Sequence, residues 1–216
     1  MPTTHMVRAG EHLPGIAHQY GFYDYLAVWD HPENAGLKKQ RKDPMVLAPD
    51  DRVYIPDKIP KQVSGGTGRS FRFVIKRTKL KLRLVVCGWD RKPLGGADVT
   101  LTGSGPELDM ALGDDGLVEQ DIPADAGTAE LHVAPGEKNG VELAWQIRIG
   151  HLDPVDTESG LMARLRNLGY YRPVSADDEA VERRSAIEEF QCDQGLRVSG
   201  DPDAETQSKL LEIHGC

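Results

Sequence analysis

Apolar residues recur with different rhythms along the chain. Leu13, Ile16, Ala17 and Tyr20 fall at i, i+3, i+4 and i+7, which is one face of a helix. Gly21 follows where a helix closes on glycine. Upstream, Met6-Val7-Arg8 reads as a short strand and Ala9-Gly10-Glu11-His12 as a turn. Asp24 is a good N-cap for a second short helix that turns Tyr25, Val28 and Trp29 inward. Residues 31–45 are polar and read as a loop. Ala48-Pro49-Asp50-Asp51 then turns into the strand Arg52-Val53-Tyr54-Ile55, which Pro56 ends. The predicted order over residues 1–57 is strand, helix, helix, strand.

Residues 58–69 read as a linker, with Pro60 and the run Ser64-Gly65-Gly66-Thr67-Gly68. Beyond it the period drops to two. Phe71, Phe73 and Ile75 alternate with Arg72, Val74 and Lys76, and Leu80, Leu82 and Leu84 alternate with Lys81, Arg83 and Val85. This pattern predicts half-buried strands. Turn signals recur at 92–96, 103–106, 114–116 and 123–125, and strands are expected at 98–101, 117–122, 128–133 and 143–149. Residues 70–150 therefore read as a β-sandwich. In residues 151–216 the helical period returns. Leu161, Leu165 and Leu168 lead to Gly169; Ala186, Ile187 and Phe190 mark a second helix ended near Gly195; and Asp203 caps a third that carries Thr206, Leu210 and Ile213. Three such helices can share a small core. The fold class is multidomain α+β.

Composition narrows the function. With 39% hydrophobic and 28% charged residues in 216, the chain is ordinary globular protein. Modules this small sit near the lower limit for an independent core, so contacts between them are expected. A net charge of −8 argues against nucleic acid and against general attraction to anionic lipid. No run approaches the ~20 apolar residues of a membrane span, so no membrane insertion is expected. The first ten residues hold no apolar signal segment. The expectation is synthesis in the cytoplasm, with any delivery to a cell envelope by a secretion machine. Cys87, Cys192 and Cys216 have no metal-ligand spacing and are expected as strand, helix and terminal thiols.

The text Val7-Arg8-Ala9-Gly10-Glu11-His12-Leu13, Ile16-Ala17-His18-Gln19-Tyr20-Gly21 and Leu47-Ala48-Pro49-Asp50-Asp51-Arg52-Val53-Tyr54-Ile55-Pro56 resembles the LysM family. Trp29-Asp30 stands near the place of that family's usual Asn, and the 31–45 loop is longer than usual. The resemblance implies a βααβ module that grips N-acetylglucosamine chains beside its strand–helix loops. Gly10, Glu11, His12 and Leu13 in the first loop, and Asp30, His31 and Pro32 in the second, are then the candidate binding residues. In the middle, Pro93-Leu94-Gly95-Gly96-Ala97-Asp98-Val99-Thr100-Leu101 with Asp115-Gly116 resembles the carboxypeptidase-regulatory or prealbumin-like sandwiches, which are mostly spacers.

At the C-terminal end the blocks Leu165-x-x-Leu168-Gly169-Tyr170-Tyr171, Ala186-Ile187-x-x-Phe190-Gln191-x-x-x-Gly195-Leu196-x-Val198-x-Gly200 and Asp203-x-x-Thr206-x-x-Lys209-Leu210 occur in order. They resemble the three-helix peptidoglycan-binding domain appended to bacterial wall hydrolases. Residues 175–183 depart from that family's Gly-rich turn. One of Tyr170 and Tyr171 is expected in the core. The other is expected on a groove with Gln191, Arg197 and Thr206.

No catalytic set emerges. There is no His-Glu-x-x-His, and the seven histidines are scattered; His12 and His18 read as surface residues. Neither Cys87 nor Cys192 sits in a nucleophile motif, and acidic pairs such as Asp114-Asp115 read as solvated faces. No catalytic residue, metal or cofactor is expected. From Lys58 through Arg83 every charged residue is basic, which fits either edge-strand lysines or the docking of an acidic partner, such as the C-terminal module. Two functions remain. One is non-catalytic binding of peptidoglycan, by its glycan strand, its stem peptide or both. The other is a spike-associated adaptor or cargo of a type VI or phage-like contractile injection system, with secretion-spike or effector proteins as partners.

Overall fold

A computed structural model describes the chain except residues 60, 61, 63, 75–78, 135–141, 173–177 and 216. It is an α+β protein with antiparallel sheets. Strand β1 (Thr3–Met6) pairs antiparallel with β2 (Arg52–Ile55), with Thr3 opposite Ile55. Between them run α1 (Leu13–Gln19), α2 (Leu26–Trp29), a 3-10 turn (Pro32–Asn34) and α3 (Ala35–Arg41). Val7, Leu13, Ile16, Val28, Trp29, Val53 and Ile55 form one apolar cluster.

Three local expectations change here. The first strand lies earlier than residues 6–8, because Val7 turns into the core. Its N–H donates to the Asp51 carbonyl, and its own carbonyl accepts from the Asp50 N–H, at 2.9 Å each. Residues 32–41 are helical rather than a loop. Helix α3 has no fully buried side chain and packs only Leu37 partly against the core, so it carries no apolar rhythm, and its basic last turn complements the helix dipole. His12 is buried rather than on the surface: its Nδ1 accepts from the Gly15 N–H at 3.2 Å and caps α1.

In the middle of the chain β3 (Leu80–Val85) pairs with β6 (Leu117–Ile122). A second sheet has the order β5-β4-β7-β8, built from β4 (Asp98–Thr102), β5 (Leu108–Ala111), β7 (Thr128–Ala134) and β8 (Leu143–Arg148). Leu82, Leu84 and Val118 from the first sheet and Val99, Leu101, Leu131 and Val133 from the second meet in a single apolar cluster. The strand expected through Phe71 and Phe73 is absent from residues 71–74. Phe71, Phe73 and Val74 are exposed, and Ile75 and Lys76 lie outside the described residues. Alternation alone makes no strand where no neighbour supplies the ladder. Strand β5 was not anticipated. Of the basic run, Lys79 pairs with Asp121 at 2.7 Å, Lys81 with Glu119, and Arg83 with Glu119 at 3.2 Å. These residues are matched within their own sheet. Lys61, Lys76 and Arg77 lie outside the described residues.

The last stretch holds α4 (Glu158–Asn167), α5 (Glu179–Asp193) and α6 (Ala204–His214). Thr157 caps α4 by accepting from the Gly160 N–H at 3.1 Å, and Asp203 caps α6 by accepting from the Thr206 N–H at 2.8 Å. Leu161, Leu165, Tyr171, Ala186, Ile187, Phe190 and Leu210 share a third cluster. Ile213, expected inside, is exposed at the last turn of α6. Of residues 175–183, positions 175–177 lie outside the described residues and positions 179–183 belong to α5.

Candidate functional site

The first-loop candidates are committed to internal contacts. Leu13 is in the core. Glu11 accepts from the Arg8 N–H at 2.9 Å and binds His5 Nε2 at 2.7 Å, while His5 Nδ1 meets the Tyr20 hydroxyl at 3.3 Å. Burial pushes the Glu11 carboxyl up, but the His5 and Arg8 hydrogen bonds and charges outweigh it and hold the carboxyl below its ordinary value. Gly10 and His12 meet the beginning of the C-terminal segment. A Cβ on Gly10 would lie 2.6 Å from Nδ1 of His151, and one on Gly150 would lie 3.2 Å from Nε2 of His12. Each side of this junction thus presents a glycine to the other side's imidazole. Arg41, bonded through two nitrogens to Asp51 at 2.7 and 2.9 Å, also reaches Asp156 at 4.0 Å.

In the second loop, Asp30 is exposed and bridged to Lys38. His31 stacks on Tyr54 with ring centres 4.8 Å apart and accepts from the Glu33 N–H at 3.3 Å. Pro32 is exposed at the start of the 3-10 turn. Asn34 is buried behind them. Its amide donates to the Val28 and Tyr54 carbonyls and its oxygen accepts from the Tyr54 N–H, all at 2.8 Å.

The C-terminal candidates separate by burial. Tyr171 is in the core. Gln191 is fully buried and its amide is saturated. Its nitrogen donates to the Asp201 carbonyl and the Thr206 hydroxyl at 2.9 Å each, and its oxygen accepts from the N–H groups of Ser199 and Gly200 at 2.9 and 3.0 Å. Thr206 is buried as part of the same network. Arg197 is exposed, away from these bonds. Gln191 and Thr206 therefore hold the turn before α6 and offer no free polar atom to a ligand.

Tyr170 is the candidate that meets a groove. Its ring stands edge-on to Phe190 at 5.3 Å, and the Arg91 guanidinium lies over it at 4.2 Å. The groove is open, about 400 Å3, and crosses from the 88–92 turn of the β-rich segment to α5, with Trp89, Arg91, Tyr170, Arg172, Glu182 and Ser185 in its wall. The turn is closed by Arg91 N–H to the Gly88 carbonyl at 3.0 Å and Gly88 N–H to the Lys92 carbonyl at 2.9 Å. Arg91 holds φ at +61°, in the left-handed region that non-glycine residues seldom occupy. Its guanidinium pairs with Asp193 at 2.6 Å and with Glu189.

Sequence reading passed over Trp89, Arg91, Arg172 and Ser185. The available signal was a tryptophan in a polar turn, Gly88-Trp89-Asp90-Arg91-Lys92, where no periodicity asks for one. Cys87 and Cys192 are exposed, Cys216 lies outside the described residues, and burial and the nearby Asp90 push the Cys87 thiol up. Among the described residues no group of three or more His, Cys, Asp or Glu converges as a metal site, and no helix is long and apolar enough to cross a membrane. No curated protein matches the chain. Residues 161–210, from α4 into α6, match the family described as "putative peptidoglycan binding domain".

Proposed function

We propose that the chain is a non-catalytic, modular peptidoglycan-binding protein. The observation that carries this reading is the family match over residues 161–210, on a helical unit whose surface bears an aromatic- and arginine-lined groove. In this reading the C-terminal helices are a three-helix wall-binding domain, residues 1–57 a LysM-like module, and the two β-sheets a sandwich spacer. Two weak sites on one chain would gain avidity if both can engage the wall.

A second reading keeps the folds but gives them protein partners, as a spike-associated adaptor or cargo of a contractile injection system loaded from the cytoplasm. It is favoured by the first-loop groups, which are spent on internal contacts and on the junction with His151. Co-sedimentation with insoluble peptidoglycan sacculi tests the pair. Wall binding predicts that the full chain pellets and that exposed substitutions on the C-terminal helices reduce pelleting. A chain that stays in the supernatant at high concentration rejects wall binding and favours the adaptor.

A further inference from the structure

Trp89 is 90% exposed, at the tip of a turn held by backbone bonds at both ends. A large aromatic face left open on a rigid turn is a ready platform, because little side-chain freedom is lost when it is covered. Carbohydrate rings present a C–H face that suits an indole, and their hydroxyl and acetamido groups need donors and acceptors at the rim. Ser185, exposed on α5, supplies a hydroxyl that can both donate and accept. The two arginines of the groove differ. Arg91 is matched by Glu189 and Asp193, whereas Arg172 is exposed and makes no ion pair among the described residues. One cation is thus left for one carboxylate on the ligand.

We propose that this groove is the saccharide subsite of the chain and that it takes an N-acetylmuramyl unit of denuded wall glycan, one whose lactyl carboxylate is free because its stem peptide has been removed. The sugar ring lies on Trp89 and the lactyl carboxylate on Arg172. The proposal rests on the wall-binding reading and deepens it. It assigns recognition to a composite surface, since Trp89 comes from the β-rich segment, Arg172 from the loop after α4 and Ser185 from α5. Arg91 is the positioning residue that clamps the two together: it spans from its turn to Tyr170, Glu189 and Asp193.

The test is titration of the full chain with three soluble probes, followed by tryptophan fluorescence and calorimetry. They are a muramyl glycan fragment stripped of stem peptide, an N-acetylglucosamine oligomer of the same length, and the free stem peptide. Variants are Trp89→Ala and Arg172→Gln, both at exposed positions, with folding checked by circular dichroism. The muramyl fragment should bind best. Trp89→Ala should weaken it by about tenfold or more, as loss of an aromatic anchor does. Arg172→Gln should erase its advantage over the N-acetylglucosamine oligomer. Undiminished binding by Trp89→Ala, equal binding of the two glycans by the unaltered chain, or saturation by stem peptide alone would each overturn the proposal. Sacculus pelleting separates the two failures. With amidase-treated sacculi, whose lactyl carboxylates are free, pelleting that survives Trp89→Ala unchanged sinks the subsite and leaves wall binding standing, while no pelleting by the unaltered chain with treated or untreated sacculi sinks wall binding itself.

Discussion

Gln191 and Arg197 sit six positions apart and have opposite fates. Gln191 is fully buried, with both ends of its amide bonded to the 199–201 turn and to Thr206. Arg197 is exposed. Gln191→Ala would strand the Ser199 and Gly200 N–H groups, and each buried orphan costs about 1–3 kcal/mol. The expected loss is about 3 kcal/mol in urea unfolding. Arg197→Ala should stay within about 0.5 kcal/mol. A small effect of Gln191→Ala would mean that water or rearrangement satisfies the turn. No signal local to Gln191 separates a buried hub from a ligand contact, because both uses favour an amide.

At the scale of elements, caps and periodicity decide more. Asp203 starts α6 by accepting the Thr206 N–H and hydroxyl, and the first of these bonds is the main reason its carboxyl is held below its ordinary value. Asp203→Ala should fray the first turn of α6, read as faster amide exchange in α6 with α4 unaffected; Asp203→Asn should restore most of the protection. All three C-terminal helices were legible from apolar spacing and end signals. So were α1, β2, β4 and β6, each of which buries part of its sequence on one side. Helix α3 was not, since a helix that offers the core a single half-buried Leu37 leaves no pattern. The stretch around Phe71 fails in the opposite direction, with a strand's alternation but no strand at 71–74.

At the scale of the whole molecule the junction of residues 10–12 with 150–151 makes a pH-dependent contribution. Burial holds the His12 imidazole below its ordinary value; Glu11 beside it raises it, and His151 lowers it further. The unfolded chain takes up this proton near pH ~6.5, but the folded chain does so only at lower pH. The unfolded state therefore binds more protons in that interval, and stability falls as pH drops below about 6.5. His12→Asn, which keeps a capping side chain without a titrating ring, should lose less stability than the unaltered chain between about pH 7 and about pH 5. Parallel pH curves for the two proteins would show that His12 does not carry the effect.

The sequence by itself determined the mixed α+β class, most elements of the C-terminal helices and the resemblance that the family match over 161–210 supports. These depend on residues close along the chain, where spacing and capping act locally. Only the tertiary structure decided that Gln191 faces inward, that Glu11 and His12 are engaged, and that Trp89 and Tyr170 border one groove. Those outcomes depend on which surfaces meet across long separations, as when Arg91 reaches Glu189 and Asp193. Periodicity reports that a face is buried; it does not name the partner that buries it.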